Sequence, residues 1–490
     1  MENMNKDYIK QISIQGFRGF KEKQTINFAY PSKNCKSGLN ILVGQNCSGK
    51  STILECIKLL NTKYGDNGYF LSKLMKHSNI NLEMSMNTTS SVSTLTSYDN
   101  KYYAELKKST NANGEYFFVP AKKNIANNNL YSNSGSIQSF IMNNQYNSSR
   151  TINRRKSNLN NEYISALTII YAEEKLRTEF NKIFNKFFPN TTWNLCMSDE
   201  QENSFVVDIT DDSGETHLEG VGDGLITILY ICIGLLLLKE NYANVLLIDE
   251  PEVSLHTDLI KKISSVLSEY AKKYQIIIST HSPYLINWNA IQDGGKLIRV
   301  VNNGKIETYE LDNYLIQDVC IEPSNNPHIY GTTAKEVFFL KDNIILVEGQ
   351  EDVVCYRKVI NRLGIDKEYN FYGWGTGGAT NLMQIMKILN SLGYKKVVAL
   401  FDGDEAGLKS SDECKNLFGE KYLIENINAE DIRDKYKIIY HDSTGKEEKI
   451  IFKQGICDQK FRIKTDFNEK YSKYMSELFK KIDEYFNNKN

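Results

Sequence analysis

The sequence predicts an α/β protein of two domains, each built on a mainly parallel sheet. Three observations carry this prediction. A glycine-rich loop separates an apolar stretch from a helical pattern near the N-terminus, a second apolar stretch ends in Asp249 and Glu250, and alternating strand and helix patterns begin after Gly331. Such alternation typically forms parallel sheets covered by helices. Because a chain of 490 residues is too long to fold around a single hydrophobic core, we expect two domains, at residues 1–335 and 336–490.

The glycine-rich loop has the sequence GQNCSGKS at residues 44–51, which fits the pattern G-x-x-x-x-G-K-[ST]. It follows an apolar strand pattern and precedes a helical one, in the order that phosphate binding requires. Backbone N–H groups and the helix N-terminus can hold phosphate, Lys50 can neutralise the β- and γ-phosphates, and Ser51 can hold magnesium. The residues predicted to bind nucleotide here are Gly44, Asn46, Gly49, Lys50, Ser51 and Thr52.

Two further strands end in polar groups that suit the same chemistry. Residues 245–252 read VLLIDEPE, so an apolar strand delivers two carboxylates at its C-terminal end. Asp249 would bind in the magnesium shell, and Glu250 would orient or deprotonate the attacking water. Residues 276–281 read IIISTH, and the terminal His281 could contact the γ-phosphate. With the glycine-rich loop, these residues predict a site for ATP and Mg²⁺.

The order and content of these motifs resemble the ABC/SMC-like ATPase superfamily. The segments EPEVSLH at residues 250–256 and STHSP at residues 279–283 resemble its OLD-like branch. The resemblance implies an ABC-type P-loop ATPase domain in which two heads sandwich ATP, each completing the other's site with a signature loop. The corresponding loop here is LEGVGDG at residues 218–224, and it carries Glu219 where the family has serine.

The composition changes between these motifs. Residues 66–161 are rich in Asn, Ser and Thr, which predicts a loop-rich polar insertion with an apolar island at residues 116–120. Residues 162–188 place apolar side chains at helical spacing, which predicts an amphipathic helix or a helix pair. We expect residues 162–200 to be a helical element able to dimerise, and a homodimer or higher homo-oligomer as the assembly.

The C-terminal third brings carboxylates to the ends of two predicted parallel strands. Residues 344–349 read IILVEG and residues 397–405 read VVALFDGDE, so Glu348 ends one strand and Asp402 and Asp404 end another. Because the carboxyl ends of parallel strands meet at one edge of the sheet, these groups can converge on one divalent cation. Oxygen ligands without histidine or thiolate favour Mg²⁺ or Mn²⁺.

This pair of motifs resembles the Toprim domain, a Rossmann-like parallel-sheet domain shared by topoisomerases, bacterial primases, recombination proteins and OLD-family nucleases. The resemblance implies that Glu348 is a metal ligand or general acid/base and that Asp402 and Asp404 bind metal. It also implies a late lysine that stabilises the transition state, for which Lys460 is the candidate. Two metals would stabilise the attacking and leaving oxygens of a phosphodiester displacement. The further carboxylates available for a second metal are Glu351, Asp352, Glu430 and Asp431.

The two resemblances together imply an ATP-hydrolysing, Mg²⁺- or Mn²⁺-dependent endonuclease of OLD type that cuts DNA, in a family whose members commonly serve in defence against phage. A separately encoded defence partner belongs to the same expectation. RNA such as tRNA stays open as the substrate. A non-cleaving, SMC-like sensor of nucleic acid or of a partner also stays open, although a scaffold would need none of the three strand-end carboxylates. A topoisomerase would need a nucleophilic tyrosine in a recognisable module, and no such module surrounds one.

Bulk composition is less informative than the motifs. Charged residues make up 24% of the chain and leave a formal net charge of -1, so only a local basic channel could attract nucleic acid. The nine cysteines include no C-x-x-C pair, which argues against a zinc ribbon or a disulfide framework. The start lacks an apolar stretch, and the longest apolar run, at residues 225–238, is shorter than the roughly 18 to 20 residues that span a bilayer. We therefore expect a cytoplasmic protein without membrane contact.

Overall fold

A computed structural model of the chain divides into two units, Met1–Asn313 and Tyr314–Asn490. The predicted domain boundary at residues 335 and 336 lies outside the residues that the structure describes, and it stays a prediction. The described residues are 6–61, 69–70, 80–97, 103–108, 116–121, 159–197, 205–211, 214–217, 223–312, 342–367, 369–373, 378–418, 421–440 and 448–488.

The described part of the first unit consists of strands and helices in mixed order. The strands are β1 (Ile9–Gln15), β2 (Gln24–Asn27), β3 (Gly38–Val43), β4 (Tyr69–Phe70), β5 (Leu82–Thr88), β6 (Val92–Ser97), β7 (Tyr103–Lys108), β8 (Tyr116–Val119), β9 (Thr192–Met197), β10 (Phe205–Asp211), β11 (Gly214–His217), β12 (Val245–Asp249), β13 (Gln275–Thr280), β14 (Lys296–Asn302) and β15 (Ile306–Glu310). The helices are α1 (Lys50–Leu60), α2 (Leu159–Ala172), α3 (Glu174–Phe184), α4 (Asp223–Lys239), α5 (Thr257–Ala271) and α6 (Trp288–Gln292).

The central sheet of this unit has the strand order β15-β14-β3-β13-β12-β8. All neighbouring pairs are parallel except the edge pair of β14 and β15. Every residue of β3, β12 and β13 is buried, as expected for continuous apolar strands covered on both faces. The predicted α/β class is thereby confirmed. The C-terminal ends of these three strands are adjacent, and all the nucleotide-site motifs follow them.

A second sheet, in the order β2-β1-β5-β6-β7-β4, is antiparallel throughout. The composition of residues 66–161 predicts a loop-rich polar insertion, and much of that range lies outside the described residues. In the part that is described, β5, β6 and β7 pair in this sheet and β8 joins the central one. The physical reason is period-two alternation: Leu82, Met84 and Met86 are buried on one face of β5 while polar residues occupy the other. Average composition conceals that alternation. A third sheet contains β11, β10 and β9.

The segment at residues 162–200 contains most of α2, all of α3 and then β9, so its last part is a strand rather than a helix. On α3 the apolar stripe is covered within the unit: Phe180 is buried against the ring of Trp193, with centroids 5.1 Å apart, and α3 contacts α4. Residues 226–238 of α4 are all buried. In the described part of the chain, no helix is both long and apolar enough to cross a membrane. Dimerisation through this segment stays a prediction.

The strands of the second unit are β16 (Ile344–Val347), β17 (Asn370–Tyr372), β18 (Val397–Phe401), β19 (Leu423–Asn426), β20 (Asp431–Arg433), β21 (Lys435–Tyr440), β22 (Glu448–Lys453) and β23 (Gly455–Cys457). Four of them form a sheet in the order β17-β16-β18-β19, with all pairs parallel. β20 and β23 pair in parallel, and between them along the chain lies the antiparallel hairpin of β21 and β22. The helices are α7 (Gln350–Arg362), α8 (Ala379–Ser391), α9 (Glu405–Phe418), α10 (Phe467–Lys470) and α11 (Ser472–Asn487).

Candidate functional site

The glycine-rich loop forms the turn between β3 and α1. Gly44 has a φ of 151° and Gly49 a φ of 108°, values that L side chains rarely adopt. A Cβ at Gly44 would also collide with the carbonyl oxygen of Val300. The loop ends at Gly49, directly before the N-terminus of α1, where unpaired N–H groups and the helix dipole attract anions. Asn46 is exposed in this loop.

Lys50 is the first residue of α1, and its side chain turns back along the loop. Its ammonium donates to the carbonyl oxygens of Gly44 and Gln45, both at 3.1 Å, and lies 2.8 Å from Nε2 of His281. Only 3% of Lys50 is exposed, and burial lowers its pKa. Burial and the Lys50 charge also lower the pKa of His281, whose Nε2 is 3.1 Å from Glu250 Oε1. The ends of β3, β12 and β13 are thus joined through three side chains.

Asp249 lies at the end of β12, beside the start of α1. Its Oδ1 accepts hydrogen bonds from the Ser51 hydroxyl at 3.0 Å and from the Ser279 hydroxyl. Burial raises the pKa of Asp249, so a nearby cation would favour its charged form. A hydroxyl and a carboxylate in direct contact at the helix start can share a Mg²⁺ ion that keeps several of its waters.

Two residues around this site carry contacts that the motifs do not indicate. Glu252 is half-buried and accepts hydrogen bonds from the Thr280 hydroxyl at 2.8 Å and from the backbone N–H of His281 at 2.5 Å, which fixes the end of β13. Arg18 donates to the Thr52 hydroxyl at 3.3 Å and forms an ion pair with Glu55 at 2.6 Å. The available signal for Arg18 is its place in the segment GFRGF after the first strand.

A cluster of acidic side chains forms at the C-terminal edge of the second unit's parallel sheet. β16 and β18 are neighbours, and the backbone N–H of Asp402 donates to Glu348 Oε1 at 2.9 Å. Asp352 accepts a hydrogen bond from the backbone N–H of Gly349 at 2.7 Å, at the start of α7. We call Glu348, Asp352, Asp402, Asp404 and Asp431 the carboxylate cluster.

Burial dominates the electrostatics of this cluster. It raises the pKa of Glu348, raises that of Asp402 well above its usual range, and together with the Asp431 charge raises the pKa of Asp352 to about 7. Carboxyl groups in such surroundings favour the protonated form unless a cation is added. The sheet edge therefore gathers acidic groups that ionise readily only beside a cation.

Two lysines of the β21–β22 hairpin supply positive charge to the cluster. Lys453 forms an ion pair with Asp404, and Lys435 forms one with Asp431 and lies 3.7 Å from Oδ2 of Asp402. That Oδ2 is buried and accepts no hydrogen bond. In the described segments, no three His, Cys, Asp or Glu side chains already surround a common point as a bound metal requires. An all-carboxylate set with a free buried oxygen nevertheless fits a hard divalent cation once the ammonium groups move aside.

The remaining candidates lie at the margin of the cluster or beyond its contacts. Glu351 pairs with Arg433, and Glu430 is exposed and accepts a hydrogen bond from the backbone N–H of Gln454 at 2.9 Å. Lys460 is exposed in the turn after β23, where its backbone N–H donates to Asp458 at 2.9 Å. Among the described residues, the lysines that contact the carboxylates of the cluster are Lys435 and Lys453. The sequence patterns give no signal for either one.

Family models match both units. Residues 39–287, slightly more than half of the chain, match the family described as "AAA domain, putative AbiEii toxin, Type IV TA system". Residues 339–404 match the family described as "Overcoming lysogenization defect protein-like, TOPRIM domain". An ATPase domain and a Toprim domain together imply the use of a nucleotide and of a divalent metal.

Individual relatives are more distant. The "Endonuclease GajA" of Bacillus cereus (strain VD045) is 27% identical over 267 residues, which cover 50% of this chain and 43% of that protein. The "Septu protein PtuA" of Bacillus thuringiensis is 26% identical over 111 residues, which cover 20% of this chain and 28% of that protein. The chain thus spans less than half the length of these relatives. Among solved structures, an Smc head domain of Pyrococcus furiosus is 14% identical with a TM-score of 0.44, covering 64% of this chain and 99% of that chain.

The first family model extends from β3 to the turn after β13, and it therefore includes the glycine-rich loop, Asp249 and His281. The second includes Glu348, Asp402 and Asp404. The chain belongs to the family of the "AAA domain, putative AbiEii toxin, Type IV TA system", and its second unit carries an OLD-like TOPRIM domain.

Proposed function

We propose that the chain is an ATP-hydrolysing, Mg²⁺- or Mn²⁺-dependent endonuclease that cuts DNA, in defence against phage. The observation that carries the proposal is the hydrogen-bonded contact of Asp402 with Glu348 at neighbouring strand ends, within the carboxylate cluster, of which Asp352, Asp402 and Asp431 are buried. The name of the relative "Endonuclease GajA" supports the same activity. The role in defence rests on the resemblance to the OLD family.

In the first unit, each motif residue has a proposed role that follows from its position. Lys50 would leave its loop carbonyls to bind the β- and γ-phosphates, with backbone groups from Gly44 to Thr52 around them. Ser51 and Asp249 would hold Mg²⁺. Glu250 would orient or deprotonate the attacking water, and His281 would contact the γ-phosphate.

In the second unit, Glu348, Asp402 and Asp404 would hold the first metal, and Asp352 and Asp431 would extend the site to a second. We favour Asp431 over Glu430 because Asp431 is fully buried in the cluster and Glu430 is exposed. Bound divalent ions supply Lewis-acid stabilisation and a more acidic water. Glu348, which faces the N–H of Asp402, is the proposed proton acceptor.

Metal dependence tests this function directly. Purified full-length chain is expected to nick supercoiled plasmid in Mg²⁺ or Mn²⁺ and to lose that activity in EDTA, because charged carboxylates alone repel the scissile phosphate. Gel electrophoresis of the plasmid measures the result, and labelled tRNA in a parallel reaction separates DNA from RNA as the substrate. Nicking that persists unchanged after chelation and dialysis would contradict the metal-dependent mechanism.

The lysine that assists cleavage is proposed to be Lys453 rather than Lys460. Lys453 contacts Asp404, and its ammonium can turn to a phosphate oxygen once metal neutralises the cluster. Lys453→Ala is expected to slow plasmid nicking by roughly 100-fold, the usual loss for one donor to transition-state charge. Lys460→Ala is the matched control and should retain activity within about twofold of the wild type, because one exposed lysine contributes little. The reverse ranking of the two variants would refute this assignment.

We infer that the chain works in the cytoplasm as a homodimer or higher homo-oligomer, with a separately encoded partner as a further option. Seven cysteines of the described ranges are free thiols, which suits a reducing compartment. The candidate signature loop lies mostly outside the described residues. Light scattering with and without ATP measures the assembly, and a monomer under both conditions would contradict an ATP-sandwiched pair.

A further inference from the structure

An exposed aromatic pair stands on the β21–β22 hairpin. Tyr436 and Phe452 face each other across the two strands, with ring centroids 5.1 Å apart and an interplanar angle of 51°. Tyr436 is 62% exposed and Phe452 is 47% exposed. Elsewhere in the described part of the chain, the large hydrophobic side chains that are exposed are aliphatic. We call these two residues the aromatic pair.

The position of the aromatic pair is tied to the carboxylate cluster. The neighbouring residues Lys435 and Lys453 are also cross-strand partners, and both form ion pairs with the cluster. Because successive residues of a strand point to opposite faces, the lysines face the carboxylates and the aromatic pair faces away from them. Each residue of the aromatic pair is therefore one position along its strand, roughly 3.3 Å, from a lysine that contacts the cluster.

The base of the hairpin is firmly held. β20 and β23 pair in parallel directly before and after it. Asp434, the residue between β20 and β21, accepts hydrogen bonds from the backbone N–H of Gly455 at 2.7 Å and from the Lys464 ammonium at 2.6 Å. Such an anchored hairpin can present a surface group in a fixed direction, which binding sites require.

Stabilisation of the hairpin does not account for this degree of exposure. A cross-strand aromatic contact uses one side of each ring, and the remaining surface of both rings is open to solvent. Aromatic rings that combine an open face with nearby cationic groups are the usual means by which proteins hold unpaired nucleotides. Lys435 and Lys453 are the nearest residues to the pair along each strand, and they lie on the opposite face, where they contact the carboxylate cluster.

We propose that Tyr436 and Phe452 form a stacking platform for an unpaired base of the substrate strand, roughly one or two nucleotides from the phosphate held at the carboxylate cluster. The location relative to the cut rests on the proposed nuclease function, whereas the stacking itself does not. Bases in an intact duplex are already stacked, so the platform selects single strands, gaps or opened duplex. The platform thus assigns a substrate class to the second unit.

Leucine substitutions test the platform because leucine retains apolar volume without an aromatic face. The full chain in Ca²⁺ is titrated into a labelled single strand carrying 2-aminopurine and into the matched blunt duplex, with DNA and RNA strands in separate arms. Tyr436→Leu and Phe452→Leu are each expected to bind the single strand roughly 10-fold more weakly and to lose the change in 2-aminopurine emission. Duplex affinity should stay within about twofold of the wild type.

Conservative variants and a distant control separate stacking from folding. Tyr436→Phe and Phe452→Tyr keep an aromatic face and are expected to bind as the wild type does. Leu417→Ala removes another exposed apolar side chain, on α9, and should also leave binding unchanged. Unchanged melting temperatures and ATP hydrolysis in the leucine variants would support a loss specific to the platform.

Several outcomes overturn the proposal. Wild-type affinity of the leucine variants for the single strand would do so, and so would an equal loss on single strand and duplex. A change of oligomeric mass in place of a change in binding would identify the pair as a self-association surface instead. If the wild type never nicks in Mg²⁺ or Mn²⁺ while 2-aminopurine emission still depends on the pair, the nuclease function fails and the platform stands. If the wild type nicks normally and binding does not change when the aromatic pair is substituted, only the platform proposal fails.

Discussion

Asp402→Asn is expected to lower the rate of plasmid nicking in Mg²⁺ or Mn²⁺ by about 1,000-fold. Asp402 lies at the centre of the carboxylate cluster, where its backbone contacts Glu348 and its Oδ2 is buried without a hydrogen bond. The amide keeps the shape of the side chain but removes a negative charge and one metal ligand. Loss of about 4 kcal/mol of metal-dependent stabilisation corresponds to that factor, at about 1.4 kcal/mol per tenfold change in rate.

The fold should survive this substitution. Burial and the Glu348 charge raise the pKa of Asp402 and so favour its neutral form, which a neutral amide resembles, and the substitution should not lower the melting temperature of the metal-free protein. Asp412→Asn on α9 is the matched control, because Asp412 is 75% exposed and pairs only with Lys415 at 3.7 Å among the contacts described. The control should nick at the wild-type rate. Nicking by Asp402→Asn within about tenfold of the wild type would refute the cluster as the cleavage site.

Lys50→Met is expected to lower ATP hydrolysis by roughly 100- to 1,000-fold. The ammonium of Lys50 is the buried positive charge at the start of α1, and it is already desolvated among loop carbonyls before nucleotide binds. Methionine matches the length of the side chain without its charge, so the loss reports the interaction with the β- and γ-phosphates. Release of inorganic phosphate measures the rate.

Lys58→Met is the matched control for this variant. Lys58 lies in the last turn of the same helix, with its ammonium 3.9 Å from the ring centroid of Phe118. It is expected to hydrolyse ATP as the wild type does. Normal turnover by Lys50→Met would contradict the nucleotide site. Plasmid nicking by Lys50→Met shows whether the nucleotide activates or restrains cleavage. Faster nicking than the wild type means that the nucleotide restrains cleavage, and slower nicking means that it activates cleavage.

The strand-end motifs were predictable because parallel sheets place the C-terminal ends of their strands along one edge. Apolar runs followed by polar residues therefore indicate which side chains meet. Lys50, Asp249 and His281 lie on three different elements and are brought together as expected from this rule. The same reasoning places Glu348 beside Asp402. In both cases the sequence contains the strand, its end and the functional group in one short segment.

The lysines of the cluster were not predictable in this way. Lys435 and Lys453 reach the carboxylates because a hairpin pairs them across 18 residues of sequence and the alternation of its strands turns both to one face. The sequence around Lys435 and Lys453 does not distinguish them from Lys460, which lies in the turn after β23. The strands β5, β6 and β7 were missed for a related reason, because their polar face dominates the composition although their other face is apolar.

The enclosure of the hairpin by β20 and β23 has an evolutionary consequence. Asp431 lies in β20, and Lys435 and Lys453 are the first and last residues of the hairpin strands, so the groups proposed for cleavage belong to its root. Insertions, deletions or substitutions in the outer part of the hairpin would leave the pairing at its base intact. If the second unit cleaves nucleic acid as proposed, related chains can diverge in the nucleic acids they recognise while they keep the same reaction, through changes at one surface element.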